Sequence, residues 1–154
     1  MTTKIAHENG TRHDSRIRDT INKVYPKAGS AFIEDLVRIA TTESVKDIRN
    51  SLEIPEMRLA IALNPNTPPD VLLKILKENR NPEIAKTIVS HPNMGEDGFI
   101  FLIENEKNIE VIVAAISNSK APIPRRFLDA CISIQDSDVQ RALVMRFLKD
   151  LRNE

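Results

Sequence analysis

The chain has 154 residues, of which 41% are hydrophobic and 29% charged, the balance of a globular domain that is long enough to bury a core. The 22 basic residues equal the 22 acidic ones, so the net charge is zero, which argues against the dense basic surface of a dedicated nucleic-acid binder. Charge is unevenly spread: residues 1–30 carry +3 (six basic, three acidic), residues 31–119 carry −5 (nine, fourteen) and residues 120–154 carry +2 (seven, five). The small positive charges of the two end segments could meet an acidic partner, but ordinary solvated faces are the favoured explanation.

The cellular setting follows from cysteine usage and from the apolar runs. Cys131 is the single cysteine, so no internal disulfide forms, and a reducing compartment is favoured. The first ten residues lack the apolar run of a secretion signal, and no apolar stretch approaches the ~20 residues that span a membrane. These features predict a cytoplasmic protein with no membrane partner.

The N-terminal residues 1–14 differ from the rest of the chain. They show no hydrophobic periodicity and contain the turn-forming pair Asn9-Gly10, so they are predicted to form a flexible arm. Residues 15–154 are predicted to form one helical-repeat domain.

Two helices are predicted at the start of this domain. The first carries Ile17, Ile21 and Val24 on one face, and the break around Pro26 ends it. A second helix is predicted from Ser30, because a broad apolar stripe follows that residue.

A motif then recurs about every 27 residues. Residues 55–65 (PEMRLAIALNP) are matched by residues 82–92 (PEIAKTIVSHP) and by residues 109–118 (IEVIVAAISN). The central apolar pair recurs as Met57/Ile61, Ile84/Ile88, Val111/Ala115 and, after a spacing of 28, Val139/Leu143. A column of small residues accompanies it: Ala60, Thr87, Ala114 and Ala142. Small side chains let neighbouring helices approach closely, as stacked repeats require.

The second half of each repeat recurs as well. Its apolar positions are Val45 and Ile48, then Leu72, Ile75 and Leu76, then Phe99, Leu102 and Ile103, and finally Phe127 and Cys131. Each repeat is therefore predicted to be two short helices joined by a tight corner. One such pair leaves apolar surface uncovered, so adjacent pairs must stack, and the fold class is predicted to be all-α.

Local capping rules predict where these helices begin and end. Asn64 precedes Pro65, which disfavours helical backbone and predicts a helix end. Thr67 is then predicted to be the N-cap of the next helix, with Pro68 at its first position. Ser137 with Gln140 three residues later predicts a second capping box.

Residues 62–76 (ALNPNTPPDVLLKIL) resemble a repeat of the leucine-rich repeat variant family, whose short paired helices are similar to HEAT repeats. The resemblance covers residues 42–146 and is carried most fully by this one repeat. It implies a right-handed superhelix of stacked helix pairs, an α-solenoid, here with a period of 27–28 residues. It also implies that the segment beginning at Pro55 is tight or 3-10-like, and it implies no reaction and no particular ligand.

Residues with catalytic or metal-binding chemistry are few. His7 and His13 have no cysteine partner that would make a zinc site, and His91 is explained best as a helix-terminal residue that hydrogen-bonds the backbone. Cys131 lies on an apolar stripe with no histidine after it, so a buried structural thiol is favoured over a nucleophile. The carboxylates lack the spacing of a calcium loop, and no glycine-rich phosphate loop is present. No catalytic residue, metal site or cofactor is therefore predicted.

Surface charge is what remains as a signal of function. The candidate partner-binding residues are basic: Arg12, Arg16, Arg18, Lys23, Arg125 and Arg126. Arg125 and Arg126 lie near a helix start, where the helix dipole disfavours cations and an acidic partner could compensate. The favoured explanation is that both side chains simply point to water. The sequence favours a non-enzymatic adaptor or regulator that binds another protein. The alternative, nucleic-acid binding through the basic N- and C-terminal segments, is opposed by the acidic middle and the scarcity of aromatic residues.

Overall fold

The computed structural model describes residues 15–105 and 108–153, and within them the chain is helical with no β-strand, which confirms the all-α prediction. Contacts divide the chain into two compact units, one up to Thr67 and one from Pro68. Whether residues 15–154 behave as one domain stays a prediction, and the predicted arm at residues 1–14 lies outside the described residues.

The first unit contains four α-helices and one 3-10 turn in its described part. They are α1 (helical over residues 15–24), α2 (Ser30–Thr41), α3 (Val45–Ser51), the 3-10 turn Pro55–Met57 and α4 (Arg58–Leu63). The predicted break after α1 and the predicted start of α2 at Ser30 are confirmed. Only the first turn of the Pro55 segment is 3-10, and its counterparts in later repeats are α-helices throughout.

The core of the first unit is aliphatic. Helix α2 packs against α3 and α4, and it buries Leu36, Ile39 and Ala40 completely. Helix α4 is short, yet four consecutive residues from Leu59 to Ala62 are buried. Helices this short are marginal in water by themselves, so packing is what stabilises them.

The second unit contains six helices in its described part. They are α5 (Pro69–Glu78), α6 (Pro82–Val89), α7 (Glu96–Asn105), α8 (Ile109–Asn118), α9 (Arg125–Ile132) and α10 (Ser137–Arg152). Helices α6, α8 and α10 pack in series to form one row, and α5, α7 and α9 form a second row. The rings of Phe99 and Phe127 meet edge to face with centroids 5.2 Å apart, which joins α7 to α9 in the core. Within this unit the sequence repeat is thus a repeat of helix pairs.

Equivalent corners of two repeats use equivalent hydrogen bonds. At the end of α4, the Asn64 Oδ1 accepts from the backbone N–H of Asn66 at 2.8 Å. After α6, the His91 Nδ1 accepts from the backbone N–H of Asn93 at 2.9 Å. His91 is almost fully buried, so its role in this corner is structural.

The third corner departs from the 27-residue register by one residue. Asn118, which the register aligns with Asn64 and His91, is the exposed last residue of α8. The buried corner position is taken by Ser119, whose Oγ donates to the Ala121 carbonyl at 3.0 Å. Because α8 is longer than α6, the repeat lengthens here.

Both predicted N-caps are wrong. Helix α5 begins at Pro69 with Pro68 as its N-cap residue, and the Thr67 hydroxyl donates instead to the Ile61 carbonyl at 2.6 Å. Helix α10 is capped by Asp136, whose carboxylate accepts from the backbone N–H groups of Asp138 and Val139. The Thr67 hydroxyl therefore closes the end of α4 and does not open α5.

Thr67→Val is expected to lower the free energy of unfolding by about 1–2 kcal/mol, because it removes a buried hydrogen bond and keeps the branched shape. Thr67→Ser keeps the hydroxyl and is expected to cost less than half as much. Chemical denaturation of the two variants measures the difference. A loss in Thr67→Ser as large as that in Thr67→Val would show that the methyl group matters as much as the hydroxyl at this position, and no loss in Thr67→Val would contradict the role of the hydrogen bond.

Candidate functional site

The most distinctive surface of the described residues lies on α10, the last helix of the second unit. One side of α10 is buried at Val139 and Ala142, where the helix packs against α8. Arg146 strengthens this contact, because its Nη1 donates to the Ile116 carbonyl at 3.2 Å. The cap at Asp136 and the basic last turn complete a stable sixteen-residue helix.

The opposite side of α10 is apolar and open to solvent. We call it the end face, and it consists of Val144, Phe147, Leu148 and Leu151. Between 42% and 65% of each of these residues is exposed. The spacing of i, i+3, i+4 and i+7 aligns the four side chains into one ridge along the helix.

The repeat shows what this side of the helix does elsewhere in the unit. Val144 follows Ile116 of α8 by 28 residues, and Ile116 follows Val89 of α6 by 27. Val89 and Ile116 are completely buried, whereas Val144 is 57% exposed. The end face therefore carries an apolar position that the preceding repeats bury, and no element within the described residues covers it on α10.

One position beside the end face does carry a polar residue. Gln140 stands where α8 has the buried Ile112, and its Nε2 donates to the carbonyls of Ile132 (3.2 Å) and Ile134 (2.7 Å). The amide thus closes the C-terminal end of α9. Ile132 itself is 62% exposed, so the apolar surface continues next to the end face.

The charges around the end face are mainly positive. Helix α10 carries four basic residues, Arg141, Arg146, Lys149 and Arg152, against two acidic ones, Asp138 and Asp150. Arg146 and Asp150 form an ion pair at 3.4 Å. Arg141, Lys149 and Arg152 are exposed and make no ion pair with any other residue that the structure describes. The apolar ridge therefore has a basic border.

A groove across α6, α8 and α10 is the second feature of this unit. It encloses about 460 Å³ and is lined partly by the small side chains Ala114 and Ala142. Lys86 of α6 reaches across to the Glu110 carboxylate at 2.8 Å, and the hydrogen bond to Glu110 raises the pKa of Lys86. Because this cation already has its carboxylate partner, the groove is a weaker candidate than the end face.

The predicted partner-binding residues are divided between the two units. Arg12 lies outside the described residues, and Arg16 and Lys23 are exposed on α1. Arg18 holds Glu34 through two hydrogen bonds of 2.7 and 3.2 Å, and this contact lowers the pKa of Glu34.

Arg125 and Arg126 occupy the first turn of α9 in the second unit and are exposed. Arg125 lies 3.9 Å from the Asp129 carboxylate, close to the limit for an ion pair. These two arginines form a small basic pair, whereas the end face was not predicted from the sequence.

No group of His, Cys, Asp and Glu side chains within residues 15–105 and 108–153 is arranged to hold a metal ion. His7 and His13 lie outside those residues. Cys131 is buried on α9, and burial raises the pKa of its thiol from 9.0 to about 11. A thiol in this environment stays protonated at neutral pH, which makes it a poor nucleophile.

The pKa of Cys131 predicts a stability loss at high pH. The unfolded thiol ionises near pH 9 and the folded thiol near pH 11. The stabilisation is therefore complete below pH 9 and is lost as the pH rises to about 11, with a magnitude of at most about 2–3 kcal/mol. Denaturation of the native chain and of Cys131→Ala between pH 8 and about pH 11 measures it. The native chain should lose more stability than the variant, and identical slopes would contradict the assigned pKa.

Among the described helices, none has both the length and the apolarity that are needed to cross a membrane. Comparison with known proteins gives no relative: no family model, no curated protein and no solved structure matches the chain.

Proposed function

We propose that the chain is a non-enzymatic protein-interaction module, an adaptor or regulator, that docks its partner on the end face of α10. The observation that carries this proposal is the exposure of Val144 at a position that is buried in α6 and α8. Exposed apolar ridges cost solubility, and on monomers they commonly mark binding sites. A partner docked here would cover side chains that no described element covers.

The repeat architecture and the cellular compartment are part of the same proposal. The helix pairs form an α-solenoid of HEAT-like repeats, similar to the leucine-rich repeat variant family, and they act in the cytoplasm, where Cys131 stays reduced. Nucleic-acid binding is the less favoured alternative, because Arg18 is already held by Glu34 and the exposed basic residues of α10 border an apolar ridge that phosphates would leave uncovered. A mobility-shift assay at two salt concentrations tests it, since phosphate binding weakens steeply with salt.

Phe147→Asp tests the docking proposal. Phe147 is 65% exposed, so the variant should keep the helical circular dichroism and the melting temperature of the native chain. A protein that the native chain captures from its host is purified and titrated directly against both chains. Binding through the end face should weaken at least about tenfold, in line with the loss of an aromatic anchor at an interface.

Ile54→Asp is the matched control. Ile54 is an exposed apolar residue of the first unit, so the control also replaces an exposed apolar side chain by aspartate, but in the other unit. It should leave the affinity for the partner unchanged. If the two variants bind the partner as tightly as the native chain does, the end face is not the docking site and the proposal fails.

A further inference from the structure

We infer that the end face binds an amphipathic helix of the partner, with an apolar stripe bordered by acidic residues. The inference rests on the proposed function, because it names the chemistry of the partner at the same face. It is carried by the shape, the area and the charge of α10.

The shape of the end face suits one helix. Val144, Phe147, Leu148 and Leu151 form a straight ridge of four side chains over two helical turns. Ridges with this spacing pack into the grooves of another helix, and amphipathic helices are recognised through anchors at the same intervals. Helices α8 and α10 of this unit already pack side by side.

The area of the end face also points to a single helix. With exposed fractions of 42–65% and roughly 150–200 Å² for each residue, the four side chains offer about 400 Å² of apolar surface. A standard stable interface needs about 800 Å² from each partner. The end face therefore offers enough surface for one short helix, and a stable complex with any partner, a second copy included, would need contacts beyond these four side chains.

Charge selects the acidic partner. Arg141 precedes Leu148 by seven residues and Arg152 follows it by four, so both arginines border the ridge on the same side. The side chains of Arg141 and Arg152 form no ion pair within the described residues. A second copy of α10 would bring basic borders together, whereas Glu or Asp residues beside the stripe of a partner helix would pair with them.

Two synthetic helices of roughly 18 residues test this inference, long enough to be partly helical alone. They share one leucine stripe and differ only in its flanks, which are Glu in one peptide and Lys in the other. Fluorescence anisotropy measures the affinity of each for the native chain at low and moderate salt. The acidic helix is expected to bind at least about tenfold tighter than the basic one, and the difference should shrink with salt.

Variants of the chain assign the binding to the end face. Phe147→Asp should weaken the acidic helix at least about tenfold. The double variant Arg141→Glu/Arg152→Glu should reverse the preference, so that the basic helix binds more tightly. Its matched control, Arg125→Glu/Arg126→Glu, makes the same two charge reversals on α9 and should leave the preference as it is.

Several results would overturn the inference. Equal affinity for both helices, or no binding of either, would show that an acidic helix is not what the face selects. Sedimentation that shows a dimer abolished by Phe147→Asp would assign the face to a second copy. Binding to phosphatidylserine vesicles that the same variant abolishes would assign it to a membrane surface. If neither synthetic helix is preferred but the binding of a captured partner is still lost with Phe147→Asp, the proposed function stands and this inference fails.

Discussion

Replacing Ala60 with glutamate is expected to lower the free energy of unfolding by at least about 3 kcal/mol and to prevent cooperative folding near physiological temperature. Ala60 is completely buried in α4, and α4 packs against α2 in the first unit. A glutamate there would be a buried charge without a partner, and its volume would force the two helices apart. Thermal melting followed by circular dichroism measures the loss.

Two further variants separate charge from volume at this position. Ala60→Gln adds the same volume without the charge, so it is expected to be destabilising but less so than Ala60→Glu. Lowering the pH through about 4 should remove the difference between them, because the unfolded carboxyl becomes protonated there and the buried one is then neutral. Ser117→Glu, at an exposed position of α8, should be nearly silent. If Ala60→Glu melts like the native chain, Ala60 does not lie in a packed contact.

The repeat is the feature of the fold that the sequence predicts best. A 27-residue recurrence identifies the helix pairs, because Ile84 and Ile88 are buried for the same reason that Val111 and Ala115 are. The recurrence also places the corner residues Asn64 and His91. It misplaces the third corner, because α8 extends two residues past the position at which α6 ends, and the buried corner position moves to Ser119 without a change in the apolar pattern.

The capping errors have a common physical origin. Asp136 and Ser137 are both good cap formers and stand side by side, so local propensity does not choose between them. At Thr67, the choice is made by the Ile61 carbonyl, which lies 2.6 Å from the hydroxyl. Competition between two acceptable local arrangements is decided by tertiary neighbours.

The candidate site was missed for a related reason. Phe147, Leu148 and Leu151 have the spacing of a core stripe, and periodicity does not tell whether a stripe is covered. The useful signal is the alignment of Val144 with Val89 and Ile116, compared with the exposure of each residue in the structure. Among the basic residues the opposite error occurred: Arg18 was predicted to be a binding residue but is already paired within the chain. Its partner Glu34 is 16 residues away, and no local sequence pattern connects the two positions.

Replacing Asn64 with alanine is expected to lower the free energy of unfolding by about 3 kcal/mol, the second largest effect that we expect. The side chain is completely buried. Its Nδ2 donates to the carbonyls of Ile39 and Thr42, each at 2.8 Å, and its Oδ1 accepts from the backbone N–H of Asn66. Alanine removes all three hydrogen bonds and leaves buried backbone groups without this partner, which costs more than the loss of an exposed hydrogen bond.

Asn66→Ala is the matched control, because Asn66 is exposed and its Nδ2 reaches the Thr42 carbonyl only at 3.3 Å. It should cost no more than about 0.5 kcal/mol. Asn64→Asp keeps an acceptor for the Asn66 amide but faces two carbonyl oxygens with a carboxylate, so it should be at least as destabilising as alanine at pH 7. As the pH falls, the buried carboxyl takes up a proton and becomes a donor, and part of the stability should return. Chemical denaturation at pH 7 and at about pH 4, near the ordinary pKa of a carboxyl group, measures these changes. Similar small losses at both asparagines would mean that α2 is held to this corner by packing alone.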